Sequence, residues 1–193
     1  IPNCGGKLIG HNTDAPGFIR ALREEFGVDP EGLSAVIFGA GGVARAIAFA
    51  LRGAKVKRLV IANRSVRKAQ ALAADVRKDR FRPEAIGLSK NELADVVPYS
   101  DLLVNGTSMG MTGGSAPSNS PVSADIVAST AFGYDAVYAP PVTPFMNEIE
   151  RAGGRAATGL SMLVYQGVIG FELCTGIPAP IKVMMEAIAP STR

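Results

Sequence analysis

The chain has 193 residues, 47% hydrophobic and 19% charged, with a formal net charge of +3 at pH 7. This suits one folded domain, or a domain with a fragment of another, and excludes a disordered chain; no long apolar span or basic run with interleaved aromatics points to a membrane or nucleic-acid partner. A single histidine, His11, and two distant cysteines, Cys4 and Cys174, exclude a metal centre rich in either residue, so no metal is expected, and the cysteines read as free thiols of a cytoplasmic protein.

In chain order, residues 16–25 read as a helix with Phe18, Leu22 and Phe26 on one face, Pro16 in its first turn and Gly27 as its stop. Ala35-Val36-Ile37-Phe38 is the uninterrupted apolar run of a parallel strand buried on both faces. A helix from Gly42 to about Leu51 follows a glycine turn, with Ile47, Ala48 and Leu51 at helical spacing. A strand at 58–62 and a helix at 66–76 come next, the helix turning Val66, Ala69, Leu72 and Ala73 inward. Strands are predicted at 84–87 and 102–105, then a loop rich in Gly, Ser, Pro and Thr from Gly106 to about Ser123. A strand at 133–138, a helix at 144–152, a short strand at 155–157 and helices at 161–174 and 181–188 complete the chain. Strands alternating with helices predict an α/β fold: a Rossmann-type doubly wound parallel sheet of about six strands with helices on both faces. Ligands of such a sheet bind outside the carboxyl ends of its strands, where Asn63, Asn105 and Tyr138 are expected.

Val36 to Arg45 reads as strand, glycine turn and helix start, the shape that holds a dinucleotide pyrophosphate. Gly39 permits the tight turn, Ala40 continues it, and Gly41 lets the backbone approach the phosphates. Gly42 and Val43 open the helix, whose unpaired N–H groups and dipole favour an anion. Ala44 is the third small residue of the pattern and keeps helix and sheet close. Roughly 20 residues further on, an NAD enzyme keeps an acid for the ribose 2′-hydroxyl. This chain has Asn63, Arg64 and Ser65 there, with Arg67 and Lys68 a helical turn on. A guanidinium grips a phosphate bidentately, and each charge-assisted hydrogen bond is worth roughly 1.5–3 kcal/mol. The cofactor expected from these residues is NADP. Cations recur here at Arg58, Arg64, Arg67 and Lys68, and some of them read as bystanders.

Further motifs carry a resemblance. Gly10-His11-Asn12-Thr13-Asp14, the Gly39 turn, Asn63-Arg64-Ser65, Asn105-Gly106-Thr107-Ser108-Met109-Gly110-Met111, Tyr134-Asp135-Ala136-Val137-Tyr138 with Thr143-Pro144-Phe145, and Gly159-Leu160-Ser161-Met162-Leu163-Val164-Tyr165-Gln166 occur in order and cover nearly the whole chain. Together they resemble the shikimate dehydrogenase family. The resemblance implies NADP-linked, reversible reduction of 3-dehydroshikimate to shikimate, a step of chorismate and aromatic amino acid biosynthesis. It assigns Asp14 as a catalytic and substrate-binding carboxylate working beside a lysine. It assigns Tyr138 and Gln166 to the substrate. Asn105, Thr107, Ser108 and Met109 match the loop lining the nicotinamide side of the site, and Val137, Gly159 and Met162 match residues around the nicotinamide. Read without the resemblance, Asp14 is a helix N-cap, a part Thr13 can play instead. Gln166 lies among apolar residues, where its amide needs a partner.

The family's substrate domain, with its Ser-x-Ser pair, catalytic lysine and asparagine, has no counterpart in this sequence. Lys7 reads as a solvated turn residue in a short strand before Asn12, not as that lysine. The expected organisation is therefore a junction remnant over residues 1–14, an NADP-binding domain over 15–160, and closing helices over 161–193 that lean toward a substrate domain. The chain alone is expected to bind cofactor without turnover. The apolar faces of the last helices are expected to be exposed, in a monomer or homodimer. Ala15-Pro16 departs from the family's glycine after the aspartate, and Pro16 predicts an extended Ala15. Two other readings stay open: a quinate dehydrogenase relative, which would favour NAD, and a non-catalytic NADP-binding module, which would have no need of Asp14, Tyr138 and Gln166 together.

Overall fold

The computed structural model describes residues 3–114 and 116–188, the side chains of residues 3 and 4 excepted. The free-thiol reading of Cys4 therefore lies outside the described residues, whereas Cys174 is free and exposed. A small antiparallel hairpin, β1 (Asn3–Cys4) and β2 (Lys7–Leu8), precedes the main body, with Lys7 exposed. Then follow α1 (Asp14–Phe26), β3 (Ser34–Phe38), α2 (Gly42–Gly53), β4 (Arg58–Ala62), α3 (Val66–Val76), β5 (Glu84–Ile86), α4 (Lys90–Ala94), β6 (Leu102–Asn105), β7 (Phe132–Asp135), α5 (Pro144–Arg151), β8 (Arg155–Thr158), α6 (Leu160–Thr175) and α7 (Ile181–Ile188).

The larger sheet has six parallel strands in the order β5-β4-β3-β6-β7-β8, as the alternation of strands and helices predicts. The chain winds outward from β3 to β5, then returns to the other side of β3 for β6. That reversal leaves a crevice at the carboxyl ends of β3 and β6. The apolar strands are explained by burial on both faces. In β3, Ala35 and Ile37 join a core built with α1, α2, α3 and α6, while Val36 and Phe38 face the opposite core with Phe145 and Ile149 of α5.

The helices carrying the site are fixed by contacts of long sequence range. Gly17 of α1 lies so close to α6 that a Cβ there would sit 2.8 Å from the Gln166 nitrogen. Phe18 meets Tyr134 of β7 edge-on, with ring centroids 5.2 Å apart. The Tyr134 hydroxyl accepts from the Met162 N–H at 3.2 Å and lies 3.3 Å from the Ser161 hydroxyl, anchoring the first turn of α6. Burial pushes this phenol above its ordinary value, so it stays neutral.

Several expectations are corrected. The predicted strand at 133–138 ends at Asp135, because β6, its neighbour, ends at the register partner Asn105; Tyr138 therefore stands on a loop beyond the strand. Ala15 is helical, not extended. Pro16 falls in the first turn of α1, where its missing N–H is no loss. Neither Thr13 nor Asp14 caps α1: Thr13 makes no side-chain cap bond, and the Asn12 Oδ1 accepts from the Ala15 N–H at 3.1 Å instead. The short helix α4 was not foreseen, though its reciprocal capping box between Ser89 and Glu92 is written in the sequence. At the other end, no residue of α7 is fully buried, Ile181 and Met185 packing only in part against the core, and Leu173, Ile177 and Val183 are exposed.

Candidate functional site

The turn between β3 and α2 is shaped by two approaches. Gly39 has φ of +112°, and a Cβ there would lie 2.8 Å from the Gly106 carbonyl oxygen. Gly106 in turn comes so near α2 that its own Cβ would lie 3.0 Å from that of Ala44, which is fully buried. The turns after β3 and β6 therefore interlock beneath the crevice. Above them, a Cβ on Gly41 or Gly42 would meet nothing within 4 Å. Gly41 is the N-cap of α2 and, lacking a side chain, leaves the first N–H groups of that helix facing open space. Such a cradle fits a phosphate.

Three concavities surround it. A cleft of about 480 Å³ is lined by Gly42, Val43, Thr107, Ser108, Val137 and Tyr138, among others. Met111 and Thr112 also line it, although sequence reasoning did not single them out. A pocket of about 280 Å³ shares Val43, Ala136 and Tyr138 with this cleft and adds Asp14, Gly159, Met162 and Gln166. A shallow groove of about 320 Å³ runs between Ala40, Gly41 and Gly42 on one side and Lys68, Ala71 and Asp75 of α3 on the other. Asp14, Tyr138 and Gln166, far apart in the chain, thus share one pocket beside the glycine turn.

Asp14 is half-buried in the first turn of α1 and has no hydrogen-bond or ionic partner among the described residues. Gln166 has the partners its apolar setting requires. The Thr13 hydroxyl donates to its Oε1 at 3.3 Å, and its Nε2 donates to the Leu163 carbonyl at 3.0 Å. Tyr138 is 50% exposed at the junction of the cleft and the pocket that holds Asp14 and Gln166.

The cations past β4 differ in state. Arg58 is held by Glu84 at 2.7 Å and Arg45 by Asp75 at 2.6 Å. Arg64, Arg67 and Lys68 are exposed and have no carboxylate partner among the described residues. Asn63 turns inward, its Nδ2 donating to the Ser65 carbonyl at 3.0 Å, which shapes the turn that presents Arg64.

Asn105, expected in the loop on the nicotinamide side, has its side chain 0% exposed beneath the cleft. Its Nδ2 donates to Asp135 Oδ1 at 2.9 Å and to the Met109 carbonyl at 3.2 Å. Its Oδ1 accepts from the Thr107 N–H at 3.0 Å and the Thr107 hydroxyl at 2.7 Å. The half-buried Met109 joins this network through its backbone, its N–H donating to the Thr107 hydroxyl at 3.1 Å. Asp135, missed by sequence reasoning, lies at the centre: it also accepts from the Val137 N–H at 2.9 Å and the Thr143 hydroxyl at 2.6 Å. The available signal was a pair of polar residues, Asn105 and Asp135, ending two adjacent buried strands.

Burial pushes the Asp135 carboxyl up to about 6, against the pull of its hydrogen bonds from Thr143, Val137 and Asn105. Because its folded value lies above the ordinary 3.8, its contribution to stability is greatest below that value and is lost as pH rises through about 6. Chemical denaturation of the native chain and Asp135→Asn between pH 4 and 7 tests this. The difference is expected to be on the order of 3 kcal/mol across that range, with the native chain losing stability relative to the variant as pH rises. Parallel profiles would refute the expectation.

Residues 22–111 match the family model described as shikimate / quinate 5-dehydrogenase, and residues 159–189 match that described as shikimate 5'-dehydrogenase C-terminal domain. The chain is 44% identical over 191 residues to a shikimate dehydrogenase (NADP(+)) of Methanopyrus kandleri, an alignment covering 97% of this chain and 65% of that protein. A crystal structure of shikimate 5-dehydrogenase from Listeria monocytogenes, in complex with shikimate and NAD, superposes with a TM-score of 0.89 at 29% identity, covering 96% of this chain and 65% of that one. One from Thermus thermophilus, in complex with NADP(H) and shikimate, superposes with a TM-score of 0.79 at 37% identity, covering 95% and 64%. The chain thus spans slightly less than two thirds of the length of these relatives.

Proposed function

Because the chain belongs to the shikimate/quinate dehydrogenase family, we propose that it supplies the NADP-binding part of an enzyme that reversibly reduces 3-dehydroshikimate to shikimate. Residues 15–160 form the cofactor-binding body in this reading, and residues 161–193 the segment that leans toward the substrate domain. The observation that carries it is the shared pocket of Asp14, Tyr138 and Gln166, opening beside a glycine cradle shaped for a dinucleotide.

The N–H groups at the start of α2 hold the pyrophosphate, which Gly41 and Gly42 admit by lacking Cβ atoms. Arg64 and Lys68 hold the 2′-phosphate, with Asn63 and Ser65 shaping the turn between them. Thr107, Ser108, Val137, Gly159 and Met162 enclose the nicotinamide, on a loop that Asn105 and Met109 brace from below. When bound, the nicotinamide supplies or accepts the hydride at the ring carbon that changes oxidation state. The Asp14 carboxylate accepts a hydrogen bond from a substrate hydroxyl and holds a proton near the reacting oxygen. The Gln166 amide and the Tyr138 hydroxyl orient the ring. Thr13 fixes the Gln166 amide by donating to its oxygen.

The free cations past β4 support NADP over NAD, and with it shikimate rather than quinate dehydrogenase activity. The retention of Asp14, Tyr138 and Gln166 in one pocket argues against a non-catalytic module. Two thinly spread cysteines support a cytoplasmic placement; among the described residues no helix is long and apolar enough to cross a membrane.

Calorimetric titration with NADP and NAD in parallel, followed by a shikimate oxidation assay, tests the proposal. Tighter binding of NADP is expected. Binding of neither nucleotide would overturn it, and preference for NAD would move the reading to the quinate branch.

A further inference from the structure

The cleft has two walls, joined by the Thr112 N–H donating to the Ala139 carbonyl at 2.8 Å and, beneath them, by one buried carboxylate tied to both. One wall is the loop after β6, with Gly106, Thr107 and Ser108; the other is the loop after β7, with Ala136, Val137 and Tyr138. Asp135 is 0% exposed beneath both. One carboxylate oxygen accepts from Asn105 Nδ2, whose amide oxygen in turn accepts from the N–H and hydroxyl of Thr107. That same oxygen accepts from the Val137 N–H. The other accepts from the Thr143 hydroxyl, which caps α5 by accepting from the Met146 N–H at 3.2 Å. Both loops and the start of a helix are therefore referred to one side chain.

We propose that Asp135 is a positioning residue for the nicotinamide half of the cofactor: it sets the separation of the two cleft walls and touches neither cofactor nor substrate. A neutral residue of similar size that still accepts hydrogen bonds would preserve this arrangement in part. An apolar residue would leave the Asn105 amide, the Val137 N–H and the Thr143 hydroxyl without their buried acceptor, and the loop bearing Thr107 and Ser108 would lose its fixed register. The groove beside Lys68 is lined by the glycine turn, Arg45 and residues of α3, and by none of the residues of this network. Loss of Asp135 would therefore weaken one half of the cofactor's binding and spare the other.

The inference rests on the dinucleotide reading, and its test separates the two. NADP and 2′,5′-ADP, which carries the adenosine and 2′-phosphate but no nicotinamide, are titrated into the native chain, Asp135→Ala and Asp135→Asn. The native chain is expected to bind both ligands. Asp135→Ala is expected to weaken NADP at least tenfold while 2′,5′-ADP stays within twofold, and Asp135→Asn to recover most of the NADP affinity. If Asp135→Ala does not fold, Asn105→Ala, which cuts only the arm to the Thr107 loop, is expected to show the same selective loss. Equal weakening of both ligands, or no change in either, overturns the proposal and leaves the dinucleotide reading standing. Failure of the native chain to bind either ligand overturns both.

Discussion

Replacing Arg64 with alanine is expected to lower NADP affinity by about 100-fold or more and to leave NAD affinity within about twofold. Arg64 is exposed and makes no hydrogen bond or ion pair among the described residues, so its removal breaks neither. Its guanidinium is free to meet a phosphate in a bidentate manner, an interaction that lysine cannot reproduce. At roughly 1.5–3 kcal/mol for each charge-assisted bond, two bonds account for the expected loss. Arg58→Ala is the control. That arginine is already engaged with Glu84, and its loss should leave the NADP/NAD ratio unchanged. Parallel titrations of both variants with each nucleotide decide the matter, and an unchanged preference in Arg64→Ala would remove this residue from the 2′-phosphate site.

Gly39→Ala is expected to destabilise the fold by about 3–5 kcal/mol, lowering the melting temperature by on the order of 10 °C. Two causes act together. The φ of +112° is one that L residues rarely adopt, and the new Cβ would press on the Gly106 carbonyl. Gly106 cannot retreat, because it already rests against Ala44 of α2. Gly41→Ala should behave in the opposite way. Its backbone has an ordinary φ of −88°, and a Cβ there meets nothing. That variant is expected to melt within a few degrees of the native chain and yet bind NADP at least tenfold more weakly, because its methyl group fills the space the pyrophosphate needs. Thermal melts with nucleotide titrations distinguish a glycine needed by the fold from one needed by the ligand. Similar melting of both variants would refute that division.

The sheet was legible because its strands are buried on both faces, so Ala35 to Phe38 and Leu102 to Val104 read as unbroken apolar runs. The turn at Gly39 was legible because a positive φ demands glycine. The end of β7 was not. Ala136 and Val137 are as apolar as the strand before them, and pairing with β6, not side-chain character, decides that the strand stops at Asp135. The capping of α1 by Asn12 was hidden for a similar reason. Asn12, Thr13 and Asp14 are all good caps, and only the chain's path selects among them. Of the site, the phosphate cradle was readable as a local pattern, while Asp135 was not, because its role exists only where two strands distant in sequence lie side by side.

The close crossing at Gly17 and Gln166 also has a consequence for the order in which the molecule acquires its abilities. The glycine cradle and its cations lie between β3 and the first turns of α3, a contiguous stretch that leaves the ribosome before α6 does. The corner holding Asp14 waits for α6, since Thr13 and Gln166 are 153 residues apart. A nascent chain can therefore assemble its nucleotide cradle before the substrate corner exists, and bound nucleotide would favour the partly folded body while the final helices are still being made.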